Sequence, residues 1–245
     1  MNITANIKWF DELKSTNSTI STDKMSLPSG TVYATVSQTA GKGQRGNSWE
    51  SAPGKNLTFS ILIKCQAGEI ESRRQHIISE ATTIGIVNYL KDKGIKAKIK
   101  WPNDIYAGDF KICGILIENS VTGRWLGSSI IGIGININQL KFVSDAPNPI
   151  SVANITGQRY DIHVELPMLL KCIFDEINCA DAMTESRFLD MLYRKGEWHE
   201  YIDCIEERRF KGKIVGTDEV FRLIVEKEDG TRKPFSFKEI KYIIS

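Results

Sequence analysis

The chain has 245 residues, of which 41% are hydrophobic and 25% charged, and it carries a net charge of +2 at pH 7. That length suits one large domain or a domain with a small module, and so small a charge argues against a nucleic-acid partner. No apolar run reaches the roughly 18 residues of a membrane span, and the first residues lack the apolar stretch of a secretory signal. The expectation is a cytoplasmic protein with no membrane partner.

Along the chain, residues 14–24 read as a first helix, with Ser15, Thr16 and Asn17 supplying capping side chains. A β-branched and aromatic run at 31–36 reads as a strand, and 57–63 as another. Residues 71–93 place Ile77, Ala81, Ile84, Val87 and Leu90 at helical spacing and stop at Gly94. Short strands at 97–100 and 105–106 flank a Trp-Pro-Asn-Asp turn, and strand-like runs follow at 111–118, 125–131 and 132–138. Residues 165–196 read as two helices. From Tyr201 the chain turns β-rich, with runs at 210–215, 220–226 and 235–244 around turns such as Glu228-Asp229-Gly230. A domain boundary is expected near 198–203.

Several chemistries can be set aside. The five cysteines are odd in number and include no C-x-x-C pair, which argues against a disulfide framework or a zinc site. His76, His163 and His199 are scattered, and there is no G-x-S-x-G elbow. The chemistry therefore rests on lysines, arginines and backbone amides.

The connection between the strands at 31–36 and 57–63 is about twenty residues long, whereas most connections run about 4–6. It contains Gln38-Thr-Ala-Gly41-Lys42-Gly43-Gln44-Arg45-Gly46-Asn-Ser-Trp49. Glycines admit close approach of backbone amides to an oxyanion, two cations add charge, and Trp49 offers a flat face. Such a loop suits a nucleotide or an acyl phosphate, or else is a surface loop with incidental charges. Gly41, Gly43 and Gly46 match G-x-G-x-x-G, but a strand follows and no helix opens on the glycines, so the dinucleotide-binding fingerprint fails. The Walker pattern fails too, for want of a Lys-Ser or Lys-Thr pair.

Three later segments add chemistry. Lys111 opens a strand between Gly108 and Gly114, and is either a solvated edge charge or a cation facing a closely approaching ligand. Asn103 and Asp104 sit on a proline-containing turn, where their side chains commonly bond the backbone. Gly132-Ile-Gly134-Ile-Asn136 is an apolar strand ending on an amide, whose partner is either backbone or an adenine edge.

Together, Ser15-Thr16-Asn17, the Gly-Lys-Gly-Gln-Arg-Gly loop, Lys100-Trp-Pro-Asn103-Asp104, Lys111-x-x-Gly114-Ile-Leu-Ile-Glu118 and Gly132-Ile-Gly-Ile-Asn136 resemble the bacterial biotin protein ligases in order and spacing, over nearly the whole chain. The resemblance implies an α/β (α+β) fold: a class II synthetase-like catalytic domain with a mixed sheet, residues 1–198, followed by an SH3-like barrel, residues 199–245. It implies that biotin and ATP give biotinyl-5′-AMP and pyrophosphate, and that biotin then passes to one lysine of a biotin carboxyl carrier protein. Mg²⁺ would accompany the ATP phosphates, with no certain protein ligand, and the molecule would be a monomer or weak homodimer. Carried over by position, Lys111, Arg45 and Asp104 are catalytic. Ser15, Thr16, Asn17, Gln38, Lys42, Gly43, Gln44, Lys111 and Gly114 hold biotin. Lys42, Arg45, Trp49, Asn103, Asp104 and Asn136 hold ATP or the adenylate. Asp104 either polarises the incoming lysine amine or organises Mg²⁺.

Two departures from the family pattern stand out. Lys42 and Gln44 replace arginines of the usual Gly-Arg-Gly-Arg-Arg-Gly loop, and loss of the fork and of a charge implies a looser hold on the adenylate. The Ser-Thr-Asn motif begins at residue 15, and the expectation is a ligase that lacks the DNA-binding helix-turn-helix domain of some relatives and does not bind an operator. The competing assignments are a lipoate or octanoate ligase or acyltransferase of the same fold, or a non-catalytic biotin-binding protein. An octanoyltransferase would use a cysteine nucleophile, for which Cys113 is the candidate, against its ordinary place as a buried apolar filler.

Overall fold

A computed structural model describes residues 1–43, 48–143 and 148–244. Among them a seven-stranded sheet is built from β1 (Asn6–Leu13), β2 (Thr31–Gln38), β3 (Leu57–Lys64), β4 (Ala97–Lys100), β5 (Asp104–Ala107), β6 (Phe110–Thr122) and β7 (Trp125–Ile135). Its order is β1-β2-β3-β7-β6-β5-β4, with β1 parallel to β2 and every other pair antiparallel. The sheet is therefore mixed.

One face carries the main core. Helix α2 (Ile77–Asp92) buries thirteen of its sixteen residues, as expected of a helix packed on more than one side. It lies against α4 (Ile162–Asn178) so closely that a methyl on Gly85 would sit 2.6 Å from Ile173 Cα. The opposite face is covered at one end by α1 (Thr16–Asp23), capped by Ser15 and anchored by Ile20 against Tyr33, Leu62 and Ile130. The short α3 (Val152–Thr156) and α5 (Thr184–Asp190) complete the helices. A second, antiparallel sheet follows, formed by β8 (Trp198–Asp203), β9 (Arg208–Thr217), β10 (Leu223–Lys227), β11 (Arg232–Phe235) and β12 (Ile240–Tyr242) in the order β11-β10-β9-β8-β12.

Several elements differ from the sequence expectation: α3 was not expected, the run at 235–244 is interrupted between β11 and β12, and four further differences have a local cause. β1 was not expected: its run Asn-Ile-Lys-Trp-Phe-Asp-Glu-Leu mixes charge with apolar residues because it is an edge strand, only partly buried. The runs at 125–131 and 132–138 are one strand ending at Ile135, since Gly132 and Gly134 pair with β3 on one side and β6 on the other. Residues 191–196 are not helical, because Ile99 bonds the backbone of both Met191 and Tyr193 and ties this stretch to β4 (Ile99 N to Met191 O, 2.8 Å; Tyr193 N to Ile99 O, 2.8 Å). The run at 220–226 starts late, since Asp218 turns the chain and Phe221 takes φ 66°.

Glu80, in the first turn of α2, is 2% exposed, and its Oε1 has no partner among the described residues. Burial, reinforced by Glu185 and opposed by Arg74, pushes its carboxyl up from 4.5 to about 7. A folded value above the unfolded one means that Glu80 costs nothing below about pH 4.5 and burdens the fold progressively up to about pH 7. Glu80→Gln is therefore expected to raise Tm at pH 8 and to leave it unchanged at pH 4.5. A pH-independent effect in thermal melts would contradict this.

Candidate active site

On the face opposite the main core, three strands bring side chains into rows by their period of two. Thr58, Gly134 and Gly114 form one row across β3, β7 and β6; Ser60, Gly132 and Leu116 form the next; Leu62, Ile130 and Glu118 form the third. The last row lies under α1. From the first two, Gly134, Gly114, Gly132 and Leu116 form the floor of a cavity of about 620 Å³.

The glycine rows exist because other side chains lie on them. A methyl on Gly132 would overlap Asn17 Oδ1 and fall 2.8 Å from Asn17 Cγ. One on Gly134 would overlap the indole of Trp49, and one on Gly114 would lie 2.7 Å from its Cζ3. Trp49 thus lies flat across the paired glycines, and its buried Nε1 has no partner among the described residues. The loop that carries it closes at its base through Trp49 N to Gly41 O, 3.0 Å, and Lys42 Nζ reaches Ser18 Oγ at 3.1 Å.

At one end of the cavity the start of α1 meets the end of β2. Gln38 Oε1 accepts from Thr16 N at 2.9 Å and lies 3.3 Å from Thr16 Oγ1. Asn17 Nδ2 donates to Glu118 Oε2 at 2.7 Å and to Leu116 O at 3.4 Å. Ser60 Oγ lies 2.6 Å from Asn17 Oδ1 and 2.7 Å from Thr16 Oγ1. Ser15, Thr16 and Asn17 are all buried.

At the other end stand the cations. Lys111 Nζ pairs with Asp104 Oδ1 at 2.7 Å, each side chain about a quarter exposed, and lies 5.9 Å from the Trp49 ring centroid. Lys100 is packed against the rings of Tyr106 (5.2 Å) and Tyr242 (4.8 Å). Burial lowers its ammonium pKa; Asp104 opposes the shift, while Lys111 and Arg194 add to it. Asn103 Nδ2 donates to Ile115 O at 3.1 Å, which ties the turn to β6. From the second sheet, Phe237 and Lys238 also line the cavity.

The structure therefore brings together Ser15, Thr16, Asn17, Gln38, Lys42, Gly43, Trp49, Asn103, Asp104, Lys111 and Gly114 around one cavity. Asn136 is not among the residues that line it: Nδ2 donates to Ile150 O at 3.0 Å, and its buried Oδ1 has no partner among the described residues. Gln44 and Arg45 lie outside the described residues. Sequence reasoning missed Ser60 and Glu118, which hold Asn17, and the floor glycines 132 and 134, whose G-x-G spacing on a central strand was the available signal. It named Lys100 at the head of the Trp-Pro-Asn-Asp motif without giving it a role, and it missed Phe237 and Lys238, which carry no local signal.

A polar pocket joined by rows of glycine to a group of cations has the shape and charge to take an anionic ligand with a polar head. The model of the Biotin/lipoate A/B protein ligase family matches residues 9–136, and the chain belongs to that family. The bifunctional ligase/repressor BirA of Escherichia coli is 31% identical over 227 residues, which cover 87% of this chain and 67% of the relative. The BirA of Bacillus subtilis is 28% identical over 219 residues, and the match spans 65% of that protein's length. Among solved structures, a biotin protein ligase from Aquifex aeolicus in complex with biotin and ATP superposes with a TM-score of 0.78 at 25% identity, covering 98% of this chain and 99% of that one.

The site also bears on the one cysteine of interest. Cys113 is fully buried and absent from the cavity lining, and burial raises its thiol far above the usual range, with Lys111 opposing. A thiol so placed is a poor nucleophile. Acid transfer by Cys113→Ala is expected within threefold of wild type in a labelled-acid assay, and a loss above a hundredfold would restore the cysteine mechanism.

Proposed function

We propose that the protein is an ATP-dependent biotin protein ligase, which activates biotin as biotinyl-5′-AMP and transfers it to a lysine of a biotin carboxyl carrier protein. The observation that carries this reading is the continuity of the cavity, which leads from the Ser15–Thr16–Asn17–Gln38 pocket over the glycine trough to Lys111. The Aquifex relative's complex with biotin and ATP supports the choice of substrates.

The residues explain how such a reaction would run. Biotin's head group is assigned to the polar pocket, and its chain to the path towards Lys111 along the glycine rows, in place of the Trp49 indole that covers them here. Two anions, the acid's carboxylate and an α-phosphate, must come together, and Lys111 and Lys42 offset their repulsion. Arg45 is assigned the same task. Attack of the carboxylate oxygen on the α-phosphorus forms the acyl–adenylate bond, and the bond to pyrophosphate breaks. Trp49, now flat on the trough, is assigned to pack on the adenine. Asp104, beside Lys111, is assigned to polarise the incoming amine in the second step or to organise Mg²⁺ in the first.

Among the described residues no three metal-ligating side chains converge. Among the described residues one carboxylate, Asp104, lines the cavity, and it fits an Mg²⁺ held mainly by phosphate oxygens, which is this ion's usual mode. The ion would supply charge neutralisation on the triphosphate. We further propose a division into a catalytic unit, 1–198, and a C-terminal unit, 199–245, meeting at β8.

Biotin-dependent exchange of labelled pyrophosphate into ATP, run beside lipoate and octanoate, tests the first step. Labelling of an isolated biotin carboxyl carrier domain tests the second. Exchange with lipoate or octanoate but not with biotin would move the protein elsewhere in the family, and no exchange with any of the three acids would refute the ligase reading.

A further inference from the structure

Asn17 is held by Glu118 and Ser60, neither of which lines the cavity. Both hydrogens of its Nδ2 are spent, on Glu118 Oε2 at 2.7 Å and on Leu116 O at 3.4 Å. A carboxylate and a carbonyl only accept, so they set which end of the amide faces β6. The other end, Oδ1, then lies over Gly132 and beside Ser60 Oγ at 2.6 Å.

Ser60 has one proton and two close neighbours, Asn17 Oδ1 at 2.6 Å and Thr16 Oγ1 at 2.7 Å. Asn17 Oδ1 cannot donate, so Ser60's proton goes there, and the Thr16 hydroxyl supplies the proton of the second contact. Gln38 Oε1 is engaged by Thr16 N at 2.9 Å, which turns Gln38 Nε2 away from Thr16. Fixed at Glu118, the direction of donation thus runs through Asn17, Ser60 and Thr16.

We propose that Glu118 and Ser60 are positioning residues that set the hydrogen-bond polarity of the acid-binding pocket. With them in place the pocket offers acceptors at Asn17 Oδ1 and Thr16 Oγ1 and a donor at Gln38 Nε2. That set complements a cyclic urea, with two N–H groups and one carbonyl, and offers nothing matched to a purely hydrocarbon or dithiolane head. If Glu118 is removed, the Asn17 amide is free to turn and present N–H where it now presents oxygen. The inference rests on the biotin reading above and adds the residues that determine its specificity.

The test uses calorimetric binding of biotin and of a cyclic carbamate analogue, in which one ureido N–H is replaced by a ring oxygen. Wild type should prefer biotin by at least about thirtyfold, because a site built to accept an N–H rejects an analogue that lacks it. Glu118→Ala should weaken biotin by about tenfold, the worth of one hydrogen bond, and should narrow the preference at least fivefold. Glu118→Gln, whose amide oxygen still accepts from Asn17, should restore both, and KM for ATP should not move in either variant. Ser60→Ala should weaken biotin in the same way by a second route. Biotin affinity within twofold of wild type in Glu118→Ala, or an equal fall for both ligands, would overturn the inference alone. Failure of wild type to bind biotin would overturn the biotin reading and this inference with it.

Discussion

Lys111→Ala should lower biotin-dependent pyrophosphate exchange by 10²–10³ at saturating biotin and ATP, the loss typical of removing a group aimed at developing charge. The position is suited to a clean test because its backbone is pinned independently of its side chain: Lys111 N donates to Asn148 O at 2.7 Å, and Lys111 O accepts from Ile150 N at 3.0 Å. Truncation therefore removes the ammonium while leaving the strand in place. It also leaves Asp104 without its partner at 2.7 Å, which adds a negative charge to a site about to receive two more. Part of the loss should thus belong to Asp104, and Asp104→Asn on the Lys111→Ala background should recover some of the rate although it is harmful alone. Such coupling is what a double-mutant cycle between touching residues measures. Adenylation within tenfold of wild type in Lys111→Ala would remove the lysine from the chemistry.

The cations of this site illustrate a general limit on what a chain discloses about itself. Lys42 and Lys111 stood out because glycines surround them, and a charge among glycines is a charge that something approaches closely. Lys100 lies at the cavity too, yet its chain neighbours are a buried isoleucine and a tryptophan. Its setting between Tyr106 and Tyr242 brings in a residue 142 positions away. The helices α2 and α4, the central strands and the start of α1 were legible because apolar spacing and capping are local. The edge strand β1 was not, since partial exposure erases the alternation that identifies a strand. Ser60 and Glu118 were hidden for another reason: each acts through Asn17, which lies 43 and 101 residues away. Roles that pass through a second side chain leave no spacing to read. Gly132 and Gly134 were visible but read as a break, when their meaning is the reverse: the strand continues and the missing side chains make room for Asn17 and Trp49.

That reversal gives the second large expected effect. Gly132→Ala should weaken biotin binding by about a hundredfold while leaving the fold intact. In an ordinary strand, alanine for glycine is mildly favourable, since glycine gives up more freedom on folding. Here the added methyl would overlap Asn17 Oδ1 and lie 2.8 Å from Cγ, so the amide has to move off the floor. Moving it breaks the contact to Ser60 at 2.6 Å and the bond to Glu118 at 2.7 Å, and it removes the acceptor meant for the ligand. Two to three bonds at about 1 kcal/mol each correspond to a thirtyfold to hundredfold loss of affinity. The same strand supplies the control. At Gly127 the nearest atoms to an added methyl are Thr122 Oγ1 at 3.3 Å and Ser120 O at 3.4 Å, a tight but yielding contact remote from the cavity. Gly127→Ala should therefore bind biotin within twofold of wild type with a Tm close to the parent, whereas Gly132→Ala, having lost two internal bonds, should still fold but melt a few degrees lower. If both glycines tolerate alanine equally in calorimetric titrations, Asn17 does not occupy the position from which it would read the ligand. If Gly132→Ala alone loses biotin, the bare row on β7 is there to seat that amide.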